Sequence, residues 1–164
     1  MTAAEALPTA MTITAPGLRH LCELIVDVAA PLELGDSPRG RRRIIPIIGG
    51  RVEGDRLNGR ILNLGADWQT VFADGIAELE ARYSMQTGDG ALIDIRNFGY
   101  RHGPPEVLAA LVRGEPVDPT LYSMRTQPRF ETGDPRYAWL NRMIAVGIGV
   151  REPTAVRISV FEVL

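Results

Sequence analysis

The chain has a single cysteine, Cys22, and only two histidines, His20 and His102. One cysteine cannot close an intramolecular disulfide or build a cysteine-based zinc site. Two distant histidines without a spaced acidic cluster give no metal-ligand pattern. Cys22 lies in an apolar run and reads as a small buried hydrophobe. No window approaches the roughly 18 consecutive apolar residues of a membrane span. The first 16 residues lack the basic start and sustained apolar stretch of a secretory signal. Familiar catalytic signatures are missing too: there is no G-x-S-x-G, no H-E-x-x-H, no phosphate loop and no G-x-G-x-x-G opening a helix. These absences predict a reduced, cytoplasmic setting, with no membrane partner, no cofactor and no metal. Charge is nearly balanced, 18 basic against 20 acidic side chains, so nucleic acid is not an expected partner. Arg41-Arg42-Arg43 is too short for a nucleic-acid arm and reads as a solvated loop.

What remains is an ordinary globular composition, 45% hydrophobic and 23% charged, over 164 residues. That is enough for one domain with its own core. The expected organisation is a loose tail over 1–16 and one domain over 17–164. Seventeen glycines and twelve prolines cut the chain into short segments, the punctuation of strands and tight turns. Strands are predicted at about 18–29, 43–53, 56–64, 67–74, 76–87, 91–98, 121–131, 138–151 and 154–163. The clearest alternation sets Ala77, Leu79, Ala81, Tyr83 and Met85 on one face and Glu78, Glu80, Arg82, Ser84 and Gln86 on the other. Glu53-Gly54-Asp55, Asp74-Gly75 and Gly88-Asp89-Gly90 supply hairpin turns. Pro104-Pro105-Glu106 opens, and Arg113-Gly114 closes, one short helix near 104–113 that caps or crosses an end of the fold. Eight or nine strands in hairpin order predict an all-β, single antiparallel, mostly up-and-down barrel, because closure removes exposed edges. The G-x-G of Gly147-Ile148-Gly149 falls inside a strand and marks a bend or a close backbone approach.

Candidate functional residues follow from where charge and aromatics fall on these strands. Glu80 and Arg82 share a face, as do Asp94 and Arg96 on the next strand. Pointing inward, they would be desolvated groups suited to anchoring or protonating a ligand; pointing outward, they form a solvated ladder of opposite charges. Asp67 and Trp68 enter one strand, and Trp139 and Asn141 share a face of a later one. The aromatics suit either a flat ligand's pocket wall, with Asp67 and Asn141 orienting it, or the core. Arg125 could clamp a carboxylate through two parallel hydrogen bonds if it faces inward.

The ordered set Gly49-Gly50, Gly54, Gly59, Gly65-Ala66-Asp67-Trp68, Asp74-Gly75, Ala81-Arg82-Tyr83, Asp89-Gly90-Ala91, Arg125-Thr126, Phe130-Glu131 and Trp139-Leu140-Asn141 resembles a mainly bacterial family, domain of unknown function 3237. The resemblance spans roughly residues 18 to 164. It implies a small β-barrel with no settled activity, and a shared pocket around Asp67, Trp68, Arg82, Trp139 and Asn141. The expected function is binding of a small apolar or aromatic metabolite bearing a carboxylate or carbonyl, with Trp68, Tyr83, Arg125, Trp139 and Asn141 as ligand contacts. The rival is a cofactor-independent lyase, isomerase or hydrolase with Asp67 or Glu80 as base and Arg82 or Arg125 stabilising negative charge. A third reading is a filled barrel acting through a homo-oligomer interface. Fold alone does not choose among them.

Overall fold

The computed structural model describes residues 13–164; the expected loose tail lies, for residues 1–12, outside them. In chain order the elements are β1 (Leu18–Val28), β2 (Leu32–Ser37), β3 (Gly40–Glu53), β4 (Gly59–Ile61), β5 (Ala66–Val71), β6 (Ala77–Thr87), β7 (Leu92–His102), α1 (Pro105–Val112), a 3-10 turn (Pro119–Leu121), β8 (Ser123–Glu131), a 3-10 helix (Pro135–Arg142), β9 (Ala145–Arg151) and β10 (Ala155–Val163). From β6 through β10 each strand pairs antiparallel with the next. β10 then pairs with β1, and β1 with β3, which reaches β6 through β4 and β5. The result is a closed eight-stranded antiparallel barrel with two extra short strands, as the hairpin order predicts.

β3 explains the extra strands. Its first half pairs with β2 on one side and β5 on the other, and its second half with β1 and β4. The partners change at a bulge beside Gly49-Gly50. Gly50 takes φ +130°, and any Cβ there would collide with the Ile25 carbonyl. Only glycine lets β1 and β3 approach this closely while the strand bends.

Alternation along β6 places Ala77, Leu79, Tyr83 and Met85 inside, fully buried, and Glu80 and Arg82 outside. One end of the barrel is filled by Leu21, Cys22, Leu57, Met85, Ile93, Phe130, Leu140 and their neighbours. At the other end a smaller cluster of Ala77, Leu79, Tyr122 and Met124 receives Val107, Leu108 and Leu111 of α1. α1 therefore caps the barrel, as predicted. Pro105 begins it, and Gly114, at φ +73°, ends it in a Schellman motif: the Gly114 N–H donates to Leu111 O and the Glu115 N–H to Ala110 O, each at 3.1 Å.

Four local expectations need correction. β2 was not foreseen, because its outer residues are exposed on both faces and carry no alternation. The strand expected over 56–64 shrinks to Gly59–Ile61. The strand expected over 138–151 starts only at Ala145. Before it, Asp134 accepts the Arg136 N–H at 3.0 Å, Pro135 follows, and the backbone turns into a 3-10 helix. Arg41-Arg42-Arg43 is part of β3 rather than a loop, so its middle member points opposite to the other two. Among the described residues, no helix is long and apolar enough to cross a membrane.

Candidate functional site

Between the filled end and the α1 cap lies a cavity where water centres have about 50 Å³ of room. At about 10–15 Å³ each, that holds about four waters. Its walls are mostly aliphatic, with Val26, Ile45, Ile47, Leu79, Val156 and Ile158 contributing. The polar members come from different strands: Asp67 and Gln69 of β5, Tyr83 of β6, Asn97 and Arg101 of β7, Thr126 of β8 and Arg151 of β9.

Glycines make this layer possible. Gly147 and Gly149 face inward, and added Cβ atoms there would press on the Thr126 hydroxyl and on the Met124 thioether, respectively. The G-x-G is thus a site of close approach, with β8 side chains lying over a bare β9 backbone.

Asp67 is held in an unusual way. The β5–β6 ladder pairs Asp67 with Ala81 and Thr70 with Glu78, but Trp68 and Gln69 have no ladder partners on β6. In the gap the Glu80 N–H donates to Asp67 Oδ1 at 2.9 Å. Gln69 Nε2 donates to Oδ2 at 2.6 Å, and Arg43 Nε donates to Gln69 Oε1 at 2.8 Å. Asp67 is half-buried in the wall, and desolvation pushes its pKa above the usual carboxylate range against the pull of these two hydrogen bonds and of Arg101 and Arg43.

Arg101 is 7% exposed. Burial, then repulsion from Arg43 and Arg151, brings its pKa down to about 10. Arg43 and Arg151 are lowered as well, each chiefly by burial. Three guanidiniums thus gather where a single carboxylate, Asp67, is the counter-charge. A surface groove beneath α1, lined by Arg43, Arg101, Leu108 and Val112, reaches the same Arg101 from outside.

Four buried polar atoms on this cavity have no hydrogen-bond partner among the described residues: Tyr83 Oη, Asn97 Oδ1, Arg101 Nε and Thr126 Oγ1. The fifth such atom, Arg42 Nε, belongs to a concavity on the outer face with Trp68 and Phe98. Buried polar groups in folded proteins are nearly always satisfied. Four orphans converging on one small space therefore mark it as built for polar atoms from outside the chain.

Of the residues singled out in the sequence, Asp67 and Tyr83 meet in this cavity. Trp68 cannot join them, because successive strand residues point to opposite faces, and it is 38% exposed on the outside. Glu80 and Arg82 lie on the outer face, where Arg82 and Arg96 both approach Asp94, at 3.5 and 3.8 Å. That is the solvated ladder. Arg125 is also exposed and donates to its neighbour's carbonyl, Met124 O. Trp139 and Asn141 sit in the 3-10 helix at the opposite end. Trp139 packs on the main core with Arg56 stacked 4.1 Å from its ring centre, and Asn141 makes two 2.9 Å hydrogen bonds to the Thr132 backbone. His20 pairs with Glu23 at 2.7 Å on the surface, and the described residues hold no group of three or more His, Cys, Asp or Glu able to ligate a metal.

The sequence does not single out Arg43, Gln69, Asn97, Arg101 and Arg151 as site residues, and Thr126 enters only beside Arg125. For β7 the signal existed: Ile93, Ile95, Asn97, Gly99 and Arg101 alternate on one face, so an apolar row turns polar inside the barrel. Ending that strand at residue 98 hid its last member.

A closed antiparallel barrel with a small, mostly aliphatic interior cavity carrying a few polar groups defines the class of this protein. The chain belongs to the family described as Protein of unknown function (DUF3237), whose model matches residues 16–163. An UPF0311 protein of Rhodopseudomonas palustris is 47% identical over 140 residues, 85% of this chain and 90% of the relative. The crystal structure of a beta-barrel like protein from Acinetobacter baumannii aligns with a TM-score of 0.82 at 44% identity, covering 93% of this chain and 99% of that one. An enzyme from Penicillium herquei shares the fold, with a TM-score of 0.71 at 19% identity, covering 95% of this chain and all of that one.

Proposed function

We propose that the barrel interior is a receptor for a small organic anion, a compact carboxylate or carbonyl acid with an apolar body. The observation that carries this reading is the convergence of four unpartnered buried polar atoms on one aliphatic cavity beside three arginines. The chain has no lysine, and all 18 of its Lys/Arg side chains are arginine, the residue whose planar fork matches a carboxylate with two parallel bonds. The aliphatic wall suits a short hydrocarbon body. Cys22, buried with its thiol pushed up to about 12 by burial, fits a protein that works in the reducing cytoplasm.

The test is thermal stability and calorimetric titration against a panel of short aliphatic, aromatic and 2-oxo carboxylic acids. Ligand at a hundred times its Kd should stabilise the fold by about 2.7 kcal/mol. Arg101→Met should lose the effect, while Arg125→Met, on the outer face, should keep it. No response from any acid at millimolar concentration, or equal responses from both variants, overturns the reading.

A further inference from the structure

We infer that Asp67 is a proton carrier, so that the cavity shifts a hydrogen between carbon and oxygen, or between two carbons, of the carbonyl acid it holds. This rests on the receptor reading above and goes further, from binding to reaction.

As counter-charge to the arginines, Asp67 feels the pull of Arg101 and Arg43. Its hydrogen bonds nonetheless come from a neutral amide and a backbone N–H, not from a guanidinium. Those two contacts use one lone pair on each oxygen and fix the plane of the group. A second lone pair on each stays free to take up a proton. The same cavity is lined by the Tyr83 hydroxyl of β6, the strand next to β5, and Arg101 Nε of β7, the strand beyond it, two unpartnered donors where negative charge on an oxygen would be welcome. A base and oxyanion donors lining one cavity are the two halves of an enolising site.

The step balances without an oxidant or cofactor. Asp67 removes the hydrogen on the carbon next to the carbonyl: the C–H bond breaks and an O–H bond forms on Asp67. The C–H electron pair becomes the new carbon–carbon π bond, and the carbonyl π pair moves to oxygen, held by Arg101 and Tyr83. Asp67 then returns its proton to that oxygen, giving the enol, or to a different carbon, giving an isomer. The burial that lifts the Asp67 pKa makes it a better base once ionised; the hydrogen bonds from Gln69 and Glu80 and the charges of Arg101 and Arg43 act against that lift, and Tyr83 and Arg151 are the other titratable groups on the cavity.

The experiment follows proton NMR of 2-oxobutanoate and a cyclic 1,3-dicarbonyl acid in deuterated water with the full chain, while the same tubes report binding through line broadening. Wild-type protein should speed loss of the signal next to the carbonyl by about 100-fold or more over buffer. Asp67→Asn should return it to the buffer rate while still broadening the ligand lines. If Asp67→Asn does not fold, the wild-type pH profile decides, and the rate must rise through one ionisation and level off. Binding without faster exchange in the wild type, equal exchange in Asp67→Asn, or a flat pH profile each overturns the proton-carrier assignment and leaves the receptor standing. Absence of binding overturns the receptor itself.

Discussion

Removing the Tyr83 hydroxyl is the sharpest check on the orphan atoms, because its sign runs against the usual outcome of a core substitution. Tyr83 is 1% exposed, belongs with Cys22 and Ile95 to the main core cluster, and its hydroxyl has no partner among the described residues. Most buried truncations destabilise. Tyr83→Phe keeps the ring and removes only an oxygen that water solvates in the unfolded chain and nothing in the protein replaces in the folded one. Leaving such a group unsatisfied costs about 1–3 kcal/mol. The variant should therefore be more stable by about 1–2 kcal/mol, a rise in Tm of about 2–4 °C per kcal/mol for a chain of this size. Urea unfolding at neutral pH measures it, with an unchanged slope confirming that the unfolded state is the same. The carboxylic acids of the binding panel should at the same time bind more weakly. A loss of about 1 kcal/mol or more would show that the hydroxyl is satisfied in the folded state, by another side chain or by cavity water, and the premise that it stands unpaired until a ligand arrives would fail.

Two further predictions concern the cavity walls. Gly147→Ala drives a Cβ into the Thr126 hydroxyl and to 2.9 Å from Ile158 Cγ2, so it should cost about 1–3 kcal/mol in urea unfolding; a neutral result would mean that β8 and β9 are not packed as described. Asp67 has a raised pKa in the fold, so the native protein holds this proton more tightly than the unfolded chain does. Its contribution to stability is therefore present at low pH and falls as pH rises from the unfolded value of 3.8 through the native one, then stays level. Unfolding curves at several pH values should show that falling limb in wild type and not in Asp67→Ala, and a limb of opposite sign would mean that hydrogen bonding outweighs burial at this carboxyl.

The barrel was legible because its signals are local. The alternation over Ala77–Thr87, the glycine turns and the proline-to-glycine frame of α1 each follow from a few adjacent residues. The interior was harder, since a strand's two faces look alike in sequence when both carry charge. Glu80 and Arg82 advertised the outer face, while the inner one showed only apolar and aromatic side chains. Asp67 and Trp68 were grouped as neighbours in sequence, yet neighbours in a strand are separated by the sheet. Trp139 and Asn141 fell on a segment with strand-like composition whose backbone is decided by Asp134-Pro135. Arg43, Arg101 and Arg151 come from three strands far apart in the chain, and only barrel closure brings them together.

The Glu80 N–H that bonds to the Asp67 side chain, in a stretch without β5–β6 ladder pairs, makes one backbone amide a gauge of the chamber behind it. A protonated carboxyl group is a weaker acceptor than an ionised one, so whatever changes the charge of Asp67 alters how firmly that single amide is held. Its hydrogen-exchange rate and nitrogen-15 resonance would then register the contents of the cavity from a single backbone position, and would do so before any substrate is known.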